Sequence, residues 1–455
     1  MKIEFIKRGA ATRLILIFAG WSTDARYYND CVADGWDTAV VSDYRDMSMP
    51  PIPSQYSTVY MFAYSLGVAA ASLCNVHAAV RIAICGSQSP VSDDFGIPES
   101  VYSGTLDSLS ERSLMKFHLR MAGDKATYES IKFRLLENPD ITFLKDELRA
   151  IRNYSGKIDS GSGRMKFDRA YIAENDRIFP PKNLQSFWDS CGETETVFLN
   201  APHAVDLASI ILECLPDTKA IGEGFSRASK SYNENAVVQK EICDRICEKL
   251  GSFLLESNSE NISLLEIGTG NGLLTEEWRR ILTPGKATYV DLTEMPVFGA
   301  AEEELYVKSD AEVWMEETDK KFDIILSAST IQWFADPVRF ISTVRHHLNP
   351  GGIAILSTFV KGNLKELDAL RPSPIIYHTA EEYGAIPGVI IDDWERKLTF
   401  KSSREMLMHL HLTGVSPRRD RAVAAEIKTA GVSCKLSELP TCLTYRPLIL
   451  LVTAL

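Results

Sequence analysis

No run in this 455-residue chain approaches the roughly 18 apolar residues of a membrane-spanning helix, so no membrane partner is expected. Positive charge is in deficit. Lys and Arg number 49 against 61 Asp and Glu, a formal net charge of −12, which argues against broad binding to nucleic acid or anionic lipid. A local basic patch stays open. The nine cysteines are scattered and include no C-x-x-C pair, so no disulfide framework and no metal site is expected, and a reducing cytoplasm fits best. Cys243 and Cys247, one helical turn apart, read as packing residues. Lys7, Arg8 and Arg13 precede the apolar run Leu14 to Phe18, but that run is short and no small-residue cleavage site follows. It reads as a buried first strand.

The length suggests two domains of roughly 200 residues each. In the first half, Arg13–Phe18, Ala39–Ser42, Thr58–Ala63, Val80–Cys85, Arg169–Ala173 and Thr196–Leu199 read as strands. Helical patterns lie between them, one from Leu66 to Cys74 and another beginning near Ala204. The stretch Leu106 to Lys157 has helical periodicity and no strand candidate, as a helical lid would. Breakers mark 215–222 as a linker, giving domains at 1–214 and 223–455. Beyond it Ser263–Ile267, Ala287–Val290, Asp323–Ser327 and Ile353–Phe359 read as further strands. Alternation of this kind predicts an α/β architecture twice over, each with a mostly parallel sheet.

Ala63-Tyr64-Ser65-Leu66-Gly67 joins a strand to a helix as a G-x-S-x-G variant. A nucleophile on so tight a turn needs small residues on either side. In an α/β-hydrolase the acid and the histidine follow the serine. Asp176 comes directly after the Arg169–Ala173 strand, and His203 directly after the Thr196–Leu199 strand. Ser65, His203 and Asp176 are therefore the candidate catalytic triad. Asp206 lies too close to His203 in sequence to serve well. The oxyanion hole requires two backbone N–H donors. Leu66 offers one, and Trp21, in Phe18-Ala19-Gly20-Trp21-Ser22, offers the other; a core tryptophan is the alternative there.

Glu266-Ile267-Gly268-Thr269-Gly270-Asn271-Gly272 follows a strand and opens a helix, with Asp291 closing the next strand. Glycines let backbone approach a ligand, and an acid at that second strand suits ribose hydroxyls. No phosphate-binding lysine follows, which excludes a P-loop. The further run Ser309-Asp310-Ala311-Glu312 and Phe322 to Ser327 resembles class I (Rossmann-like) S-adenosylmethionine methyltransferases. The resemblance implies Glu266 near the amino-acid part of the cofactor, Asp291 on its ribose, Asp310 and Ala311 beside its adenine, and Ser327 after the fourth strand. Tyr232 either covers the cofactor from the opening helix or packs as a core aromatic.

Two more specific resemblances follow. Ser327 through Gln332-Trp333 to Asp336-Pro337, Ser357-Thr358-Phe359, and Gly224-Phe225-Ser226-Arg227-Ala228 resemble malonyl-acyl-carrier-protein O-methyltransferases of biotin synthesis. Phe18-Ala19-Gly20-Trp21, Asp43-Tyr44-Arg45, Ala63 to Gly67 and Gly96-Ile97-Pro98 resemble pimeloyl-acyl-carrier-protein methyl ester esterases. The segment Cys85-Gly86-Ser87-Gln88-Ser89-Pro90 departs from the esterase pattern. Together they imply one enzyme that esterifies a malonyl group, with S-adenosyl-L-methionine as methyl donor, and later cleaves the ester of the elongated pimeloyl group. Chain-length discrimination would lie in the lid around Leu114, Phe117, Arg120 and Met121. The acyl carrier protein partner is acidic, so Arg149, Arg152, Lys157, Arg164, Lys166 and Arg169, or Arg418, Arg419 and Arg421, are candidate docking clusters. Two rival readings remain: a general carboxylesterase or thioesterase fused to another small-molecule methyltransferase, and a hydrolase-fold domain that only docks the carrier.

Overall fold

Strands buried on both faces read as nearly unbroken apolar runs, and Thr58–Tyr64, with every residue buried, is such a strand. The computed structural model describes residues 1–159, 164–256, 261–368, 373–413 and 440–454. Its chain divides into two units, Met1–Cys214 and Leu215–Leu455.

The first unit is an α/β-hydrolase. Its strands are β1 (Lys2–Lys7), β2 (Arg13–Phe18), β3 (Asp37–Ser42), β4 (Thr58–Tyr64), β5 (Val80–Ile84), β6 (Arg169–Ala173) and β7 (Glu195–Leu199). They form one sheet in the order β1-β3-β2-β4-β5-β6-β7. All neighbours are parallel except β1 and β3. The sequence reading began the sheet at Arg13. It missed β1, an edge strand whose Lys and Glu side chains face solvent and so carry no buried run. Helix α1 (Gly67–Ser72) follows β4. Between β5 and β6 come α2 (Glu99–Asp107), α3 (Glu111–Ala122), α4 (Lys125–Ile131) and α5 (Ile141–Asp159), the helical insertion. Ser110 and Ser113 form a capping box at the start of α3, and Asp124 caps α4. Helices α6 (Pro181–Cys191) and α7 (Leu207–Cys214) complete the unit.

The second unit has a class I methyltransferase fold. It opens with α8 (Thr218–Asn235) and α9 (Val237–Glu256). Helix thus occupies most of the stretch read as a linker. Asp217 accepts a hydrogen bond from the Ala220 N–H, and this cap starts the helix despite Gly222 and Gly224. The strands are β8 (Ser263–Ile267), β9 (Lys286–Asp291), β10 (Glu303–Lys308), β11 (Phe322–Ser327), β12 (Leu348–Phe359), β13 (Val389–Asp393), a separate pair β14 (Arg396–Thr399) and β15 (Cys442–Tyr445), and β16 (Pro447–Thr453). The main sheet runs β10-β9-β8-β11-β12-β16-β13. Only β16 is antiparallel to its neighbours. Alternate residues feed two cores: Leu264, Ile324 and Leu326 pack with Ile242 and Trp278, while Leu265, Ile267 and Ile325 pack with Phe340 and Ile341. Helices α10 (Leu273–Trp278) and α11 (Ala311–Glu317) each follow a strand of this sheet.

In both sheets two adjacent strands lead away to opposite sides, β2 and β4 in the first, β8 and β11 in the second. The loops at the carboxyl ends of such a strand pair are where parallel sheets bind ligands. No helix among the described residues is long and apolar enough to cross a membrane.

Candidate active sites

Ser65 sits between β4 and α1 with φ at +57°, a left-handed conformation that a non-glycine residue adopts only under constraint. Its N–H donates to the Ile84 carbonyl at 2.8 Å, which fixes the turn. Gly67 must be glycine: a Cβ there would lie 2.4 Å from the Phe18 carbonyl oxygen. His203 Nε2 is 3.0 Å from Ser65 Oγ, and His203 Nδ1 is 2.6 Å from Asp176 Oδ2. Asp176 Oδ1 accepts from the N–H groups of Ile178 at 2.7 Å and Phe179 at 3.0 Å. The Phe179 ring stacks on the imidazole, and the Tyr64 hydroxyl donates to the His203 carbonyl. The three side chains are thus connected and buried. Asp206 instead caps α7 through Ser209.

The N–H groups of Leu66 and Trp21 donate to no acceptor among the described residues. The Trp21 indole is buried and donates to the Leu144 carbonyl of α5. Its ring therefore serves the core while its backbone stays available. In the departing segment, Cys85 takes φ +50° and places its thiol beside Asp176 and His203. Burial pushes that thiol well above its usual range, so it is neutral there.

In the second unit a cavity of about 1030 Å³ lies at the switch point, lined by Gly268, Gly270, Asp291, Asp310, Ala311 and Tyr232 among others. Gly268 has φ +70°, and a Cβ on it would meet Thr330 Oγ1 at 2.0 Å. Asp291 spans two strand ends: Oδ2 accepts from the Gly270 N–H at 2.8 Å, and Oδ1 from the Thr293 N–H at 2.7 Å. Asp310 caps α11 through the Glu312 N–H.

A malonyl-[acyl-carrier protein] O-methyltransferase of Bacteroides fragilis is 30% identical over 419 residues, 88% of this chain and 84% of its own length. The chain belongs to the malonyl-[acyl-carrier protein] O-methyltransferase family. A second malonyl-[acyl-carrier protein] O-methyltransferase, from Chlorobium phaeovibrioides, is 33% identical over 214 residues, 44% of this chain and 81% of its own. Residues 1–202 match the family model of the pimeloyl-ACP methyl esterase BioG, and residues 238–401 that of a methyltransferase domain. The crystal structure of BioG from Haemophilus influenzae is 28% identical, with a TM-score of 0.42, covering 45% of this chain and 94% of that one. This malonyl-[acyl-carrier protein] O-methyltransferase family member therefore carries an esterase domain and a methyltransferase domain in one polypeptide.

Three residues expected at the cofactor stand outside the lining of this cavity. Glu266 is buried behind the glycine loop, its Oε2 accepting from Thr275 Oγ1 at 2.8 Å and Trp278 Nε1 at 2.6 Å. Burial raises its carboxyl to about 7, despite those two donors. Ser327 donates to the Ile267 carbonyl and ties β11 to β8. Gly272 starts α10 against the Phe298 ring. None of the three lines the cavity. Sequence reasoning missed the cavity residues Asn271, Ser329 and Thr330, and it used Phe225 and Trp333 only as resemblance, although their rings meet at 5.8 Å. It also missed His118. A polar residue inside the buried stripe Leu114, His118, Met121 was the available signal.

The first proposed basic cluster is largely engaged. Arg149 pairs with Asp146, Arg152 with Glu99 and Lys166 with Glu193, while Arg164 donates to Ser190. Arg169 is 2% exposed and pairs with Glu195, so it cannot meet a partner. The Lys157 side chain and Arg418, Arg419 and Arg421 lie outside the described residues. Of the lid residues expected to sense chain length, Leu114 and Met121 are buried, Phe117 packs edge-on to Trp21, and Arg120 is exposed.

Proposed function

We propose that the chain acts at both ends of a protected-ester route in biotin synthesis. Its methyltransferase domain esterifies the free carboxylate of a malonyl group on acyl carrier protein, and its esterase domain cleaves the methyl ester of the pimeloyl group made from it. The supporting observation is the hydrogen-bonded Ser65–His203–Asp176 chain on a polypeptide whose second unit holds a glycine-walled cavity at the switch point.

In the esterase, Ser65 Oγ attacks the ester carbonyl while His203 Nε2 takes its proton. Asp176 holds Nδ1–H and so keeps the tautomer in which Nε2 can accept. The N–H groups of Leu66 and Trp21 receive the oxyanion. His203 returns the proton to the departing methoxide. Water, deprotonated by the same imidazole, then releases the carboxylic acid.

In the methyltransferase, the pinched Gly268 and the open space beside Gly270 fit close approach by S-adenosylmethionine, with Asp291 at its ribose and Asp310 and Ala311 at its adenine. That group, when bound, supplies an electrophilic methyl on a sulfonium sulfur. The acceptor carboxylate, with a pKa near 4, is already ionised at neutral pH. The chain's residues therefore align it, and no general base is required. Tyr232 forms part of the cavity wall.

Carrier docking falls to α3. Arg112, Lys116 and Arg120 recur every four residues along one exposed face and make no ion pair among the described residues. An acidic carrier protein complements such a stripe. The experiment is hydrolysis of pimeloyl-[acyl-carrier protein] methyl ester by the purified chain and by Ser65→Ala. Release of methanol by the first and none by the second supports the assignment. Equal hydrolysis by both would remove Ser65 from it, and no hydrolysis by either would remove the substrate.

A further inference from the structure

The loop carrying Trp21 is short, and Ser22 within it has φ +63°, a conformation that persists only where its surroundings impose it. From within its own connection it is held by Tyr28, whose hydroxyl accepts from the Gly20 N–H at 2.7 Å, and by Thr23, which donates to the Gly20 carbonyl at 2.7 Å. From the other side it is held by the lid. Ser22 Oγ lies 3.0 Å from His118 Nε2 on α3. The Trp21 ring packs edge-on against Phe117 at 4.9 Å, and its indole N–H donates to Leu144 of α5 at 3.1 Å. Ser22 and His118 are 2% and 6% exposed.

We propose that His118 is a positioning residue for ester hydrolysis: by bonding Ser22 it holds the loop that aims the Trp21 N–H at the oxyanion. This rests on the reading of Ser65 as nucleophile and Trp21 as oxyanion donor. His118 is itself far from proton transfer at neutral pH. Burial lowers its pKa to about 4, so it is a neutral imidazole that makes one fixed hydrogen bond. The same helix presents Arg112, Lys116 and Arg120 outward. The lid therefore bears on the transition state as well as on the acyl chain, because a donor displaced by an ångström serves the oxyanion poorly.

The test is steady-state hydrolysis of a short p-nitrophenyl ester by the full chain, His118→Ala, His118→Gln, Ser22→Ala and the double variant Ser22→Ala/His118→Ala. Thermal unfolding of each confirms that it is folded. His118→Ala is expected to lower kcat about 10- to 100-fold, part of the 10²- to 10³-fold effect of losing a donor outright, with KM within about threefold. His118→Gln, which can still bond Ser22, should recover most of kcat. The double variant should be no worse than either single one. The proposal is overturned if the loss appears in KM alone, if glutamine is as poor as alanine, or if the two single effects add. Should the wild-type chain fail to hydrolyse the ester, or Ser65→Ala hydrolyse it equally well, the underlying assignment of Ser65 fails instead.

Discussion

Replacing Asp176 by Asn should cripple the esterase while barely disturbing its structure. The side chain cannot rotate to accommodate the change. Asp176 Oδ1 accepts from two backbone donors, the N–H groups of Ile178 and Phe179, at 2.7 and 3.0 Å. In the variant these donors hold the amide oxygen, so its NH₂ must occupy the position of Oδ2, 2.6 Å from His203 Nδ1. An NH₂ group there requires Nδ1 to accept. The imidazole must then carry its proton on Nε2, where it can no longer take one from Ser65. Forcing the wrong tautomer in a serine hydrolase triad costs about 10⁴ in kcat, or about 5 kcal/mol of transition-state stabilisation. The assay is ester hydrolysis at neutral pH beside Asp206→Asn, which alters only a helix cap and should stay within about threefold of wild type. A folded Asp176→Asn variant within tenfold of wild type would refute the reasoning, since either the acid or the direction of its bonds would be misassigned.

Three further outcomes follow from the geometry. Gly268→Ala must place a methyl against Thr330 at a φ of +70°, so S-adenosylmethionine affinity measured by calorimetry should fall more than about tenfold with ester hydrolysis kept. Charge reversal at Arg112, Lys116 and Arg120 together should raise KM for carrier-linked pimeloyl methyl ester and leave kcat/KM for a small ester unchanged; equal losses on both would rule out docking on α3. The carboxyl of Glu266 is raised from 4.5 to about 7, so the native state holds a proton that the unfolded state releases. The stability linked to that proton is fully present below pH 4.5 and is lost as pH rises through about 7, roughly 3 kcal/mol in all. Glu266→Gln keeps an acceptor for Thr275 and Trp278 and does not titrate, so its melting temperature should gain on wild type steadily between pH 5 and pH 8; a constant difference would contradict a neutral buried carboxyl.

The parts of the two sites that could be read from sequence are those where backbone geometry restricts residue type. Ala63 and Gly67 flank a strained serine, Gly268 faces Thr330, and Asp291 closes a strand, so each left a mark at fixed spacing. Side-chain direction left no such mark. Glu266 and Ser327 stand in the right order along the chain, yet one turns toward Trp278 and the other toward Ile267, because residues at a buried strand end can satisfy the core instead of the ligand. Non-local pairing was equally hidden. Strand β16 was not among the strands read from the sequence, and nothing local says that it inserts between β12 and β13. The engagement of the basic cluster was hidden for a related reason: apart from Asp146 beside Arg149, its acidic partners Glu99, Glu193 and Glu195 are remote in sequence, so their neutralising effect appears only in the fold.

The most direct measurement is the mass of malonyl-[acyl-carrier protein] after incubation with S-adenosylmethionine and the Ser65→Ala chain, in which ester loss is blocked. The account predicts a gain of one methyl group on the carrier-linked substrate and none on free malonate. An unchanged mass, with S-adenosylmethionine demonstrably bound to the chain, would contradict it.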